Sequence, residues 1–146
     1  MAKLPPKPTV HEVLDAVHKA KTKSKKIEVL REYDSKALRY CLIWNYDESL
    51  KSALPDGEVP YTPNPSPTPE ATSKLASEYR TLYNFIEGGN YDITTTRREV
   101  LFIQLLEAID PGEAEVLCLV KDKKLAKKYR VSFPVVKEAY PDIVWG

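Results

Sequence analysis

Apolar positions recur along this chain with a helical period. Val10, Val13, Leu14 and Val17 stand at i, i+3, i+4 and i+7, the spacing that puts side chains on one face of a helix. Ile27, Leu30 and Tyr33 outline a second helix, and Leu38, Cys41, Leu42 and Asn45 a third. After a break the period resumes with Leu75, Tyr79, Leu82 and Ile86. Leu101, Leu105 and Ile109 follow, with Phe102 and Leu106 beside them, and then Val116, Leu117 and Val120. No two segments alternate as a pair of strands would. The pattern predicts an all-α fold of six to eight helices.

Local signals mark the helix ends. Thr9-Val10-His11-Glu12 is a capping box, in which the Thr hydroxyl accepts from an amide three residues on and the Glu reaches back. Ser24 marks a second helix start and Ser35 a third. Helices resume near Thr72, and Gly88-Gly89 ends that segment. Thr96-Arg97-Arg98-Glu99 is a second capping box. Asp110-Pro111-Gly112-Glu113 opens the next helix, with Asp as cap, Pro at the first helical position and an acid in the first turn.

The break is PDGEVPYTPNPSPTPE, residues 55–70, which holds six of the chain's twelve prolines. Proline lacks the amide donor and clashes with the preceding turn, so no helix persists there. The stretch is expected to cross the surface in extended form; a polyproline ligand for a partner is the alternative. It is no domain boundary, because the part before it is too short to bury a core alone. The expectation is one domain over residues 1–146, with a flexible N-terminus over about residues 1–8.

Composition narrows the class. A chain of 146 residues, 42% hydrophobic and 29% charged, suits one soluble globular domain with a core that needs no staples. No run of apolar residues is long enough to span a membrane, and MAKLPPKPTV has no apolar signal region. Cys41 and Cys118 sit within apolar helical patterns and are expected to be buried and reduced. Two Cys and two His make no zinc spacing, so a cytoplasmic protein without metal or cofactor is expected. No phosphate-cradling glycine loop and no Ser-His-Asp arrangement occur. His11 and His18 share one side of an early helix with no carboxylate cluster, as surface histidines do. The expectation is a non-enzymatic protein with no small-molecule substrate.

The net charge of +1 argues against a nucleic-acid binder, but its distribution does not. Lys19 to Arg39 holds eight Lys/Arg against three acids, and Lys121 to Lys137 seven against one. Two basic segments can form one positive face, or they can be solvated helix surface. Tyr40, Trp44, Tyr79, Tyr83 and Phe102 fall at helical spacing and are expected in the core. Tyr46, Tyr61 and Tyr129 are expected to be exposed.

Three stretches, in order, carry a resemblance: LRYCLIWNYDESLKSALP (residues 38–55), RREVLFIQLLEAIDPGEAEVLCLVKDKKL (97–125) and VSFPVVKEAYPDI (131–143). Together they resemble the N-terminal, all-helical DNA-binding domain of ATP-dependent DNA ligases, above all the compact phage form, from about Thr9 to Trp145. The chain is also similar to small proteins of large contractile-tailed phages in which such a domain stands alone. The resemblance implies a domain that holds duplex DNA through the minor groove and phosphates, by helix N-termini and basic side chains, without base readout. Carried over, Lys121, Lys123 and Lys124 follow the second helix of a pair. Lys127, Lys128 and Arg130 then lead into Ser132, which would cap the last helix. Lys23, Lys25, Lys26 and Arg39 would extend the positive face.

Two departures stand out. Arg130 occupies a turn position where the family tends to have Gly, the residue a left-handed backbone favours. No Lys-x-Asp-Gly motif occurs, since Leu54-Pro55 precedes Asp56-Gly57, and no nucleotidyltransferase domain is present, so ligase activity is not expected. Two other readings stay open. A helix-turn-helix regulator would need base-reading side chains early in the helix from Ser132 to Tyr140, where only Lys137 could reach a base edge. A virion or host-takeover component would bind a phage or host protein instead of double-stranded DNA.

Overall fold

The computed structural model describes residues 8–64 and 74–145. The fold is all-α. Its elements are α1 (Val10–Lys19), α2 (Lys23–Glu32), α3 (Lys36–Tyr46), α4 (Leu75–Glu78), α5 (Thr95–Ala108), α6 (Pro111–Lys121) and α7 (Phe133–Ala139). A 3-10 helix over Tyr79–Phe85 continues α4, and another over Leu125–Lys127 follows α6. The extended pairing among the described residues is one isolated antiparallel bridge, Ser52 with Ile86.

α6 is the centre of the core. It packs against α1, α3 and α5, and Ala114, Val116, Leu117 and Val120 are fully buried. Each buried methylene there stabilises by about 0.8 kcal/mol. α2 packs between α1 and α7. Trp44 and Phe85 both meet Phe102 edge-on, which joins α3, the 3-10 helix and α5.

The caps explain most helix starts. Thr9 and Glu12 form the reciprocal box opening α1, Ser35 accepts from the Leu38 amide, and Asp110 accepts from Gly112 ahead of Pro111. α2 and α5 start differently from the sequence expectation. Thr22, not Ser24, caps α2 by accepting from Lys25, and Thr94, not Thr96, caps α5 by accepting from Arg97. In both cases more than one hydroxyl residue falls within the turn, two at α2 and three at α5, and the first of them, with extended backbone, takes the cap. The start expected near Thr72 lies outside the described residues, as do residues 1–7 and 65–73 of the N-terminus and crossing.

Glu113 does more than sit in a first turn. It is 1% exposed, and its two carboxylate oxygens accept from the amides of Val10 (3.0 Å) and Leu75 (3.2 Å). Those are the first helical amides of α1 and α4, donors that have no partner inside their own helices. Burial pushes the Glu113 carboxyl up, and the two amides oppose that shift.

Residues 55–64 run without helix from the end of α6 toward the end of α5. Lys121 donates to the Pro55 carbonyl, the Asp122 carboxylate accepts from Gly57, Glu107 accepts from Thr62, and Asn64 donates to the Ala108 carbonyl.

Several aromatic expectations change. Tyr40 and Tyr83 are exposed, and Tyr79 is half-buried, because α3 and the 3-10 helix turn these rings outward from Trp44 and Phe85. Tyr129 is buried, and Tyr46 and Tyr61 are half-buried. The Tyr46 hydroxyl donates to the Val131 carbonyl. Cys41 is buried and Cys118 half-buried; both are free thiols.

Candidate phosphate-binding groove

α2 and α7 are tied across the fold. Arg31 donates to the carbonyls of Glu138 (2.9 Å) and Ala139 (3.3 Å), and the Tyr140 hydroxyl donates to the Leu30 carbonyl. This docking places the basic start of α2 beside the segment that leads into α7. Between them lies a groove of about 430 Å³ lined by Lys23, Lys26, Ala126, Tyr129, Arg130, Val131, Ser132, Pro134 and Val135. Its lining is mainly apolar, and three cations, Lys23, Lys26 and Arg130, come to it from the two distant basic segments.

The cations are held in different ways. The Lys26 ammonium donates to the Val17 (2.7 Å) and His18 (3.4 Å) carbonyls, closing the C-terminal end of α1. Burial, and then the positive charge of Arg130, push its pKa below the ordinary lysine value. The Arg130 backbone amide donates to His18 Nδ1 (2.9 Å), while its guanidinium has no carboxylate partner among the described residues. Lys23 pairs with Glu138 (2.8 Å) in an exposed contact, of a kind worth little and easily exchanged. Cations crowded beside one another favour an anion between them.

The other sequence-predicted residues are distributed less favourably. Lys121 cannot meet a phosphate: its ammonium is fully buried between the Pro55 carbonyl and Asp122. Lys123 donates to the Trp44 (2.6 Å) and Asp47 (2.9 Å) carbonyls at the end of α3. It also takes the left-handed turn anticipated at Arg130, with φ 57°, as the one non-glycine residue with positive φ among those described. Lys128 pairs with Glu115, and Arg39 with Asp34 and Asp142 over the Tyr140 ring, so both are neutralised away from the groove. Ser132 precedes α7, but its hydroxyl makes no cap hydrogen bond. Lys25, Lys124 and Lys127 are exposed and have no carboxylate partner among the described residues.

Lys137 lies 5.2 Å above the Phe133 ring, in a cluster where Tyr46 stacks on Phe133 and Trp145 meets it edge-on. Val135, Val136 and Ala139 of α7 are buried. The histidines are half-buried rather than free on the surface. His18 accepts from Arg130, and His11 lies 2.9 Å from the Thr9 hydroxyl and 3.7 Å from Asp110. Sequence reasoning missed the groove's apolar wall; the short apolar alternation Tyr129, Val131 was its one visible sign.

Among the described residues no group of three or more His, Cys, Asp or Glu could hold a metal ion, and no helix is long and apolar enough to cross a membrane. Fold and site thus define an all-helical protein with a cation-rimmed groove between its second and last helices. The chain belongs to DUF6433, a family of unknown function, whose profile matches residues 13–127 and so includes Lys23 and Lys26 but stops short of Arg130. No curated protein and no solved structure matches it.

Proposed function

We propose that this chain is a non-enzymatic protein that binds the phosphate backbone of double-stranded DNA without reading its sequence, encoded by a phage and acting in DNA metabolism in the host cytoplasm. The observation that carries the reading is the meeting of Lys23, Lys26 and Arg130, from segments about a hundred residues apart, around one groove. Lys124 and Lys127, exposed in the same basic segment as Arg130, extend the set. Counterion release by such cations supplies affinity without base contacts. The burial of α7's valines and the seating of Lys137 on Phe133 favour backbone binding over a base-reading helix. The resemblance to phage ligase domains supports the DNA and phage parts of the proposal.

A second reading, a protein-binding role in a virion or in takeover of the host, is favoured by the pairing of Lys23, Arg39 and Lys128 with acids. Fluorescence anisotropy with a labelled duplex, intact and nicked, separates the two. Three phosphates neutralised give a salt slope of about −2.7 and roughly fortyfold weaker binding at 200 than at 50 mM salt. Arg130→Glu with Lys127→Glu abolishes that binding on the DNA reading. Absence of binding at the lower salt, or an unchanged double variant, refutes it.

A further inference from the structure

α5 carries two stripes. Phe102, Leu105 and Leu106 turn into the core. Thr96, Glu99, Val100 and Ile103 stand at i, i+3, i+4 and i+7 and line a separate cleft of about 380 Å³. Its opposite wall is the crossing from Leu54 to Pro60, and Leu54, Val59 and Phe102 complete its apolar surface. Val100 is 38% exposed, an open aliphatic side chain on a helix otherwise packed or polar.

The uncompensated charges that line this cleft have one sign. Asp56, Glu58 and Glu99 line it and have no cationic partner among the described residues. The lysine in its lining, Lys121, has its charge compensated by Asp122. Arg98, next to Glu99, is held by the Asn84 and Asn90 carbonyls, and Arg97 lies roughly opposite Glu99 around the helix. The backbone groups of Asp56, Glu58 and Val59 make no hydrogen bond within the described chain, so they are open to an extended segment.

We infer that this cleft is the docking seat for a segment of a partner protein in which aliphatic residues are flanked by Lys or Arg. An aliphatic side chain sits between Val59, Val100 and Ile103, and the flanking cations reach Asp56, Glu58 and Glu99. Charge complementarity selects this occupant: an acidic segment meets three like charges, and a uniformly polar one leaves the apolar surface uncovered. The inference stands apart from the phosphate reading, because groove and cleft share no residue.

The test uses the whole chain and a fluorescein-labelled Lys-Lys-Leu-Leu-Lys-Lys peptide, with Glu-Glu-Leu-Leu-Glu-Glu and Lys-Lys-Ser-Ser-Lys-Lys as controls. The chain's net charge of +1 gives it no general attraction for polycations. Saturable binding of the first peptide alone is expected. It weakens about tenfold or more in an Asp56→Lys, Glu58→Lys double variant, whose exposed sites leave the fold intact, and is unchanged in Arg130→Glu. A melting curve confirms that the double variant is folded. Equal binding of either control peptide, an unaffected double variant, or no saturation up to about 1 mM overturns the inference.

Discussion

Glu113 offers the sharpest test of how this fold is held together. Replacing it with Ala removes both acceptors at once and leaves the first amides of α1 and α4 buried without partners. Each orphaned amide costs about 1–3 kcal/mol, or roughly 2–6 for the pair. Against that, the variant no longer buries a carboxylate whose charged form is disfavoured by its surroundings. A net loss of about 2–4 kcal/mol is expected, a large share of the roughly 5–15 kcal/mol a domain of this kind has. At about 2–4 °C per kcal/mol, the melting temperature falls by roughly 5–15 °C.

Urea unfolding measures the difference, and hydrogen exchange locates it. First-turn amides normally exchange freely, so protection at Val10 and Leu75 in the parent, lost in the variant, is diagnostic. Acid adds a signed check. The folded carboxyl holds its proton more tightly than the unfolded one, so the linked stability is fully present below 4.5 and is lost as pH rises through the raised folded value. The parent therefore gains on Glu113→Gln as pH falls across that window. A Glu113→Ala protein within about 0.5 kcal/mol of the parent, or unchanged exchange at the two amides, would refute the reasoning.

Three further outcomes are expected. Gly89→Ala drives a methyl group into the Tyr83 carbonyl, which is backbone and cannot swing away, so a loss of about 3 kcal/mol should appear in the same urea assay. A phosphodiester in the groove raises the lowered Lys26 pKa back toward its ordinary value, so anion binding takes up protons, the more so as pH rises toward that value; calorimetry in buffers of different ionisation heat reads this directly. Cys118, half-buried, reacts with an aromatic disulfide reagent in the native protein, though slowly because burial raises its thiol pKa, whereas buried Cys41 reacts only on unfolding, as mass spectrometry of the labelled peptides shows.

The helices were legible because their signals are local. Thr9, Ser35 and Asp110 each act within three residues of themselves, and the apolar period needs no more than one helix to be seen. The choice of Thr22 over Ser24 turns on backbone geometry that no residue count contains. The basic segments were visible as charge, but the fate of each cation was not. Lys121 finds the Pro55 carbonyl 66 residues away, Lys123 the Trp44 carbonyl 79 away, and Arg39 the Asp142 carboxylate 103 away. Those pairings are decided by packing, and they remove three of the cations that the charge pattern alone would place in the groove. Tyr83 and Tyr129 exchange places for the same reason, since periodicity marks a stripe but not the side that meets a neighbour.

The tie between α2 and α7 also has a consequence in time. Arg31 and the Ala139 carbonyl it holds are 108 residues apart, and the walls of the groove come from opposite ends of the described chain. A contact of that span forms late, after the local helices and at the entropic cost of closing a long loop. A chain still emerging from the ribosome has the lysines of α2 but no groove to hold them around. Any binding that depends on the groove therefore begins only once α7 has been made and docked.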